Sequence, residues 1–366
     1  MSKLRFSFKR AYRLRPSRGA DESHVSELRI GGDRTSQIVL LPYSKGLGYF
    51  IVPTEGTVRS IAGDDFCAER LTLPLSLWVR LRLALLFKKK KYLEFEEFAL
   101  FCFGVKPERK RFTTFNQHMF NTGVAQDSDL LSSHPELIAG WVPVEGAACS
   151  RAHPPGPAPP VAVVAHLYHE DTWPDIAGAL QRLDIPYDLI VTSVAGRERL
   201  VETIRRDFPQ AEIRVTDNRG RDVRPFLELL EEGRLDRYRF VCKIHGKKSS
   251  DAGRMPYMGA LWRRRLLFDL LAAPGVVHAI LERFIREPKI GMIGSRVFRL
   301  PSRTYPADLS WGGNRDMALG YAYKLGIVPE AFRLDFFGGT MFWVRPEALK
   351  PLRDLGLTEA FPEERG

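Results

Sequence analysis

From Val161 to Phe298, short apolar runs rich in β-branched residues alternate with segments of helical period, and this alternation restricts the fold more than any other feature of the chain. VAVVAHLY (161–168) reads as a buried strand. DTWPDIAGALQRL follows, with Ile176, Leu180 and Leu183 at helical spacing and Asp171 or Thr172 available as a cap. YDLIVTSV, AEIRVTDN and YRFVCKIHG read as further strands, separated by the helical segments GRERLVETIRRDF and VRPFLELLEEG. Two more helices, MGALWRRRLLFDLLA and GVVHAILERFIREP, lead to the strand KIGMIGSRVF. Such a βαβαβαβ series predicts a mostly parallel sheet with helices on both faces. Ligands of these sheets bind beyond the carboxyl ends of the strands. That rule brings His166, Tyr168, Thr192, Ser193, Asn218, Gly220, Asp222, Lys243 and His245 to one rim.

Upstream, the proline-rich run PPGPAPP (154–160) has the composition of an extended spacer. It divides the chain into an N-terminal accessory region (1–150), a linker (151–160) and a larger domain (161–366). In the first region IVLLPYSKGLGYFIV predicts short strands about a turn at Gly46 and Gly48. Leu75 to Phe87 predicts a helix, the Lys88–Lys91 cluster a basic break, and YLEFEEFALFCF a second helix, so the region is expected to be a smaller α+β unit. The Leu75–Phe87 segment, with Arg80 and Arg82, suits either a core-facing helix with a solvated end or an anionic membrane surface.

Composition narrows the classes. With 44% hydrophobic and 27% charged residues the chain is that of a soluble globular protein, and its net charge of +11 favours anionic partners. Cys67, Cys102, Cys149 and Cys242 lie far apart without CxxC spacing, which predicts neither a zinc site nor a disulfide framework, and a reducing compartment. No run reaches the roughly 18 uncharged apolar residues of a spanning helix, and the N-terminus lacks the apolar core of a signal peptide. The expected location is the cytoplasm, with peripheral association at the inner face of the membrane. A nucleic-acid partner is not expected, because the basic residues gather at a strand end and the N-terminus rather than along a continuous face with stacking aromatics. P-loop, HExxH and GxSxG patterns are absent, and His166 with His169 lacks the further ligands of a zinc site.

Three segments carry chemistry. In KIHGKKS (243–249), Lys243 and His245 are two apart on a strand and share a face; Gly246 turns the chain and Lys247 and Lys248 follow. Ammonium groups and an imidazole at a strand end suit a departing diphosphate, so Lys243, His245 and Lys247 are the candidate catalytic residues and Lys248 a nucleotide-sugar contact. DNRGRDV (217–223) joins a strand to a helix. Gly220 permits unusual backbone geometry, Asn218 or Asp222 can cap the helix, and Arg221 adds charge for an anion or a ribose. In FFGGTMFWVRPEAL (336–349), Gly338 and Gly339 allow close backbone approach to a substrate, an aromatic strand follows, and a helix starts at Pro346. His166, Tyr168 and Ser193 complete the nucleotide side.

NRGRDV, KIHGKKS, the following WRRRLL helix, KIGMIGS and GGTMFWVRPEAL, in that order, resemble the rhamnan synthesis protein F family over about residues 161–366. The resemblance implies a role in rhamnose-containing bacterial cell-surface polysaccharides. It implies a nucleotide-sugar donor of the dTDP-rhamnose type and a glycan or lipid-linked glycan acceptor. The order of elements also resembles a GT-A glycosyltransferase, with one departure: KIHGKKS stands where those enzymes carry a metal-binding DxD, so lysines and a histidine would replace the cation and no metal cofactor is expected. The resemblance further implies additional sequence after FPEERG, from which a catalytic base would come; Glu363 and Glu364 are the nearest carboxylates. The competing reading is a non-catalytic glycan-binding or scaffold subunit on a decayed transferase fold.

Overall fold

The computed structural model describes residues 10–16, 25–33, 36–42, 47–54, 57–63, 66–86, 92–94, 97–104, 160–248, 258–272, 275–301 and 306–364. They fall into two compact units, 1–123 with 249–262 and 124–248 with 263–366. The proline-rich linker, Pro160 apart, lies outside the described residues.

The first unit holds strands β1 (Arg10–Pro16), β2 (Val25–Gly31), β3 (Ser36–Pro42), β4 (Leu47–Pro53), β5 (Ser60–Ala62), β6 (Phe66–Thr72), β7 (Tyr92–Glu94) and β8 (Phe98–Gly104), and helix α1 (Leu75–Leu86). They form an antiparallel sheet in the order β6-β1-β4-β8-β7 and a second in the order β3-β2-β5. The two strands expected here are present but belong to different sheets; Gly48, expected in the turn, lies within β4, and Gly46 lies outside the described residues. YLEFEEFALFCF is not a helix: it supplies β7 and β8. Phe98, Leu100 and Cys102 enter a core with Leu14, Leu28, Ile30 and Tyr49, whereas Ala99 and Phe101 enter a second core with Leu77, Trp78 and Leu81 of α1. A strand buried on both faces is apolar at every position, and such a run carries no periodicity that separates it from a buried helix.

The second unit is the expected α/β domain. Its strands are β9 (Val161–Leu167), β10 (Asp188–Val194), β11 (Glu212–Thr216), β12 (Phe240–His245), β13 (Met292–Gly294), β14 (Arg299–Leu300), β15 (Phe336–Phe337) and β16 (Phe342–Val344). The helices are α2 (Trp173–Leu180), α3 (Glu198–Asp207), α4 (Arg224–Glu231), α5 (Met258–Leu267, from Arg263 on in this unit), α6 (Val276–Arg286), α7 (Ala307–Ser310), α8 (Arg315–Lys324) and α9 (Pro346–Leu349). The main sheet runs β11-β10-β9-β12-β16-β13, parallel from β11 to β12 and antiparallel about β16. KIGMIGSRVF is a strand only over β13; a 3-10 turn (Arg296–Phe298) then leads to β14.

Side chains alternate across this sheet. Ala162, Val164, Ile190, Val241 and Val344 pack under Phe226, Leu229 and Leu230 of α4. On the opposite face Phe240 stacks on Phe284 of α6 with centroids 4.9 Å apart, and Trp343 Nε1 donates to Leu270 O at 2.9 Å. The sheet is thus mostly parallel and covered on both faces, the GT-A-like arrangement. The chain steps outward from β9 to β10 and β11, then returns to place β12 on the other side of β9. The strand order therefore reverses between β9 and β12, and such a reversal opens a ligand crevice at the carboxyl ends of the strands.

Candidate active site

At that reversal His166 and His245 are register partners; His245 ends β12 and His166 is the last residue but one of β9. Both share the α4 face with Lys243, two residues earlier on β12. Lys243 is 2% exposed. Its Nζ donates to Asp222 Oδ2 at 2.5 Å and to Thr340 O at 2.8 Å, and lies 5.8 Å from the ring centres of both Phe226 and Phe342. Thr340 Oγ1 donates to the same Asp222 oxygen at 2.5 Å. His245 Nε2 is 2.7 Å from Gly339 O, so Nε2 carries the proton, and it stands 3.8 Å from Asp222 Oδ2. His166 Nδ1 meets Thr192 Oγ1 at 3.0 Å. Lys243, His245 and Asp222 together clamp the Gly339–Thr340 turn onto the end of the sheet. The clamp holds Thr340 at φ 53, a conformation that costs a non-glycine residue about 1–2 kcal/mol.

Electrostatics follow from burial. Burial alone would raise the Asp222 carboxyl, but the Lys243 ammonium, His245 and the Thr340 hydroxyl hold it well below the usual carboxylate range. Burial lowers the affinity of Lys243 for its proton, and Asp222 opposes that loss. Burial also pushes both imidazoles down to about 4, with Asp222 opposing and Lys243 adding to the effect. At neutral pH the centre therefore consists of one internal ion pair and two neutral rings.

The positive charge lies at the rim. Lys247 is half-buried, and burial pulls its ammonium below the usual value against the attraction of Asp222. Lys248 is exposed and pairs with Asp171 at 2.7 Å. Arg263 fixes the backbone here: its Nη1 donates to Lys247 O at 2.6 Å, while Nε and Nη2 reach Asp175 Oδ2 at 2.9 and 2.6 Å. Arg264 takes the other Asp175 oxygen at 2.8 Å. Gly246 has no space for a side chain, because a Cβ would lie 2.3 Å from Thr172 Oγ1. Gly246→Ala is expected to cost about 1–3 kcal/mol in urea denaturation, partly restored by Thr172→Ala in the same chain. A single variant as stable as the parent would mean that the strand end yields freely.

The remaining expected contacts are placed as follows. Tyr168 follows β9 and carries the Arg197 guanidinium over its ring at 4.4 Å. Ser193 is fully buried on the opposite side of the sheet from His166, donating to Leu167 O at 2.7 Å. Gly338 donates its N–H to Phe298 O at 2.6 Å. Neither Asn218 nor Asp222 caps α4: its N-cap position is Val223 and no side chain caps it, because the Asp222 carboxylate turns to Lys243 instead. Thr172 does occupy the N-cap position of α2, but its hydroxyl donates to His169 O. The 217–223 turn is also occupied from outside. Glu364 N donates to Asn218 O at 3.0 Å, Arg219 Nη2 donates to Phe361 O at 2.7 Å, and Arg221, at φ 51, stands 3.4 Å from Glu364. Gly220, at φ +62, is needed because a Cβ would sit 2.7 Å from the Phe361 ring.

Thr340 is a member of the centre that motif reasoning left out of the site, and Thr192 was brought to the rim but given no role. The two glycines directly before Thr340 were the visible signal for it, and Thr192 is the register partner of His166 on the neighbouring strand. At the end of β12 the side chains are ammonium groups and two imidazoles beside a carboxylate already held by Lys243 and Thr340. That donor set does not fit a divalent cation, and among the described residues no group of three His, Cys, Asp or Glu is placed to hold one.

A family profile, rhamnan synthesis protein F, matches residues 152–366. The chain belongs to the rhamnan synthesis protein F family. The whole candidate centre lies within the matched span of that family. Two curated relatives, both named uncharacterized protein WxcX, come from Xanthomonas campestris pv. campestris strains B100 and ATCC 33913. Each is 32% identical over 213 residues, which are 57% of this chain and 29% of the relative, so the chain spans under a third of their length. Among the described residues no helix is long and apolar enough to cross a membrane.

Proposed function

We propose that the second unit transfers a sugar, rhamnose by the family's association, from a nucleoside diphosphate of the dTDP-rhamnose type to a glycan or lipid-linked glycan. The observation that carries this reading is the convergence of His166, His245, Lys243 and Asp222 at the strand-order reversal of a GT-A-like sheet. In the reaction the bond between the sugar anomeric carbon and the phosphate oxygen breaks, and the diphosphate keeps the electron pair. An acceptor hydroxyl forms the new bond and releases its proton. Lys247, at the rim, meets the negative charge on the departing diphosphate, with Lys248 and Arg221 adding to the field. Lys243 and His245 act one step back, as positioning residues whose donors are spent on Thr340 O, Asp222 and Gly339 O. Asp222 is a poor base for the acceptor proton, since its carboxyl is held low and paired.

Lys247→Ala is expected to lower turnover by about 10²-fold if that ammonium supplies a few kcal/mol to the transition state. Activity should persist in EDTA. Calorimetric titration with dTDP, UDP and GDP, followed by nucleotide release from the sugar donors with a polysaccharide acceptor, tests the assignment. Failure of every nucleotide to bind would favour the second reading, a glycan-binding subunit. That reading draws support from the inward use of the Lys243 and His245 donors. Loss of activity in EDTA that Mn²⁺ restores would overturn the replacement of a cation by KIHGKKS.

A further inference from the structure

We infer that α1 of the first unit docks flat on an anionic lipid surface. The inference does not depend on the sugar-transfer reading. The helix has two apolar faces. Leu77, Trp78 and Leu81 pack into the core with Ala11, Val52 and Phe101. Leu75, Val79 and Leu83, four residues apart, form a second stripe that is 59, 38 and 45% exposed. Single exposed leucines are ordinary on protein surfaces, but three aligned on successive turns of a 12-residue helix, about 18 Å long, are a continuous apolar strip.

Charge identifies what covers it. Between Glu69 and Glu94 the sequence holds seven basic residues (Arg70, Arg80, Arg82 and Lys88 to Lys91) and no acidic one. Arg80 is exposed and follows Val79 directly. An apolar strip on a helix whose sequence neighbourhood carries only positive charge is the pattern of a helix lying in the headgroup region of acidic lipids: the leucines enter the acyl boundary and the cations meet the phosphates. A protein partner would have to present an acidic rim around an apolar groove. A second copy of this chain would bring the same positive charges against themselves.

Sedimentation of the full chain with vesicles tests this. Binding to vesicles of phosphatidylcholine with phosphatidylglycerol should exceed binding to phosphatidylcholine alone by about tenfold or more. Because a chain of net charge +11 can adhere to acidic vesicles by charge alone, the deciding variant is Leu75→Ser/Val79→Ser/Leu83→Ser. It should lose most of the binding while keeping the parental thermal unfolding midpoint. Should that variant fold poorly, Ser76→Glu/Arg80→Glu, which places acidic groups at exposed positions on the same helix, should have the same effect on binding. Unchanged vesicle binding by the serine variant overturns the inference. So does absence of binding by the parent, or a dimer of the parent that the serine variant dissolves.

Discussion

Lys243→Met is expected to destabilise the second unit by about 3–5 kcal/mol, because it strands the Asp222 carboxylate in a site built around an ammonium. Asp222→Asn should cost a comparable amount by leaving Lys243 without its counter-charge. The double variant should recover most of the loss, since neither charge then remains buried alone. Urea unfolding of the three variants gives the coupling between the two positions directly. Additive losses, or single variants within about 1 kcal/mol of the parent, would show that water reaches the pair and that the clamp on the Gly339–Thr340 turn does not depend on it. The same experiment separates the two roles of Lys243. A double variant that is stable but fails to bind nucleotide has lost the positioning of the turn rather than its fold.

Acidification is expected to weaken the second unit well before its carboxylates titrate. His166 and His245 bind a proton at about 4 in the folded chain and at 6.5 in the unfolded one. Between these values the unfolded state holds more protons, so stability rises with pH across the window. The contribution is complete above 6.5 and is lost as pH falls toward 4. At 1.36 kcal/mol per unit, one such histidine contributes on the order of 3 kcal/mol, and two neighbouring ones contribute less than twice that. The carboxyls of Asp222 and Asp175 are also held below their usual value, a shift of the same sense, and their contribution is lost only at still lower pH. Urea midpoints measured from pH 7 to 4.5 should therefore fall, and His245→Asn should flatten the slope. A flat profile in the parent would mean that both rings are solvated.

The strand and helix order of the second unit was legible because each strand was a short apolar run and each helix kept its period. The same reasoning failed at YLEFEEFALFCF, where β8 serves two cores at once and its apolar residues follow no alternation. At the site, sequence placed Lys243 and His245 on one face and Ile244 on the other, as the structure has them. It could not show that the Lys243 ammonium would be met by Asp222, 21 residues earlier, or that Thr340, 97 residues later, would close the cluster. Ion pairs of that kind depend on which loops the strand order brings together, and no local pattern records it. Asp222 read as a helix cap for a good local reason: an acidic residue ahead of a helix starting with Arg224 and Pro225 ordinarily turns to the first N–H groups.

The place of β16 bears on how the domain comes into being. Among the described residues β13 hydrogen-bonds within the main sheet only to β16, and β16 lies between β13 and β12 although it follows both along the chain. Until residue 344 has been made, β12 keeps an open edge and β13 has no place in the sheet. The residue that completes the Lys243 site, Thr340, lies just ahead of that same strand. Closing the edge of β12 and completing the hydrogen bonds of the Lys243 ammonium are thus a single event.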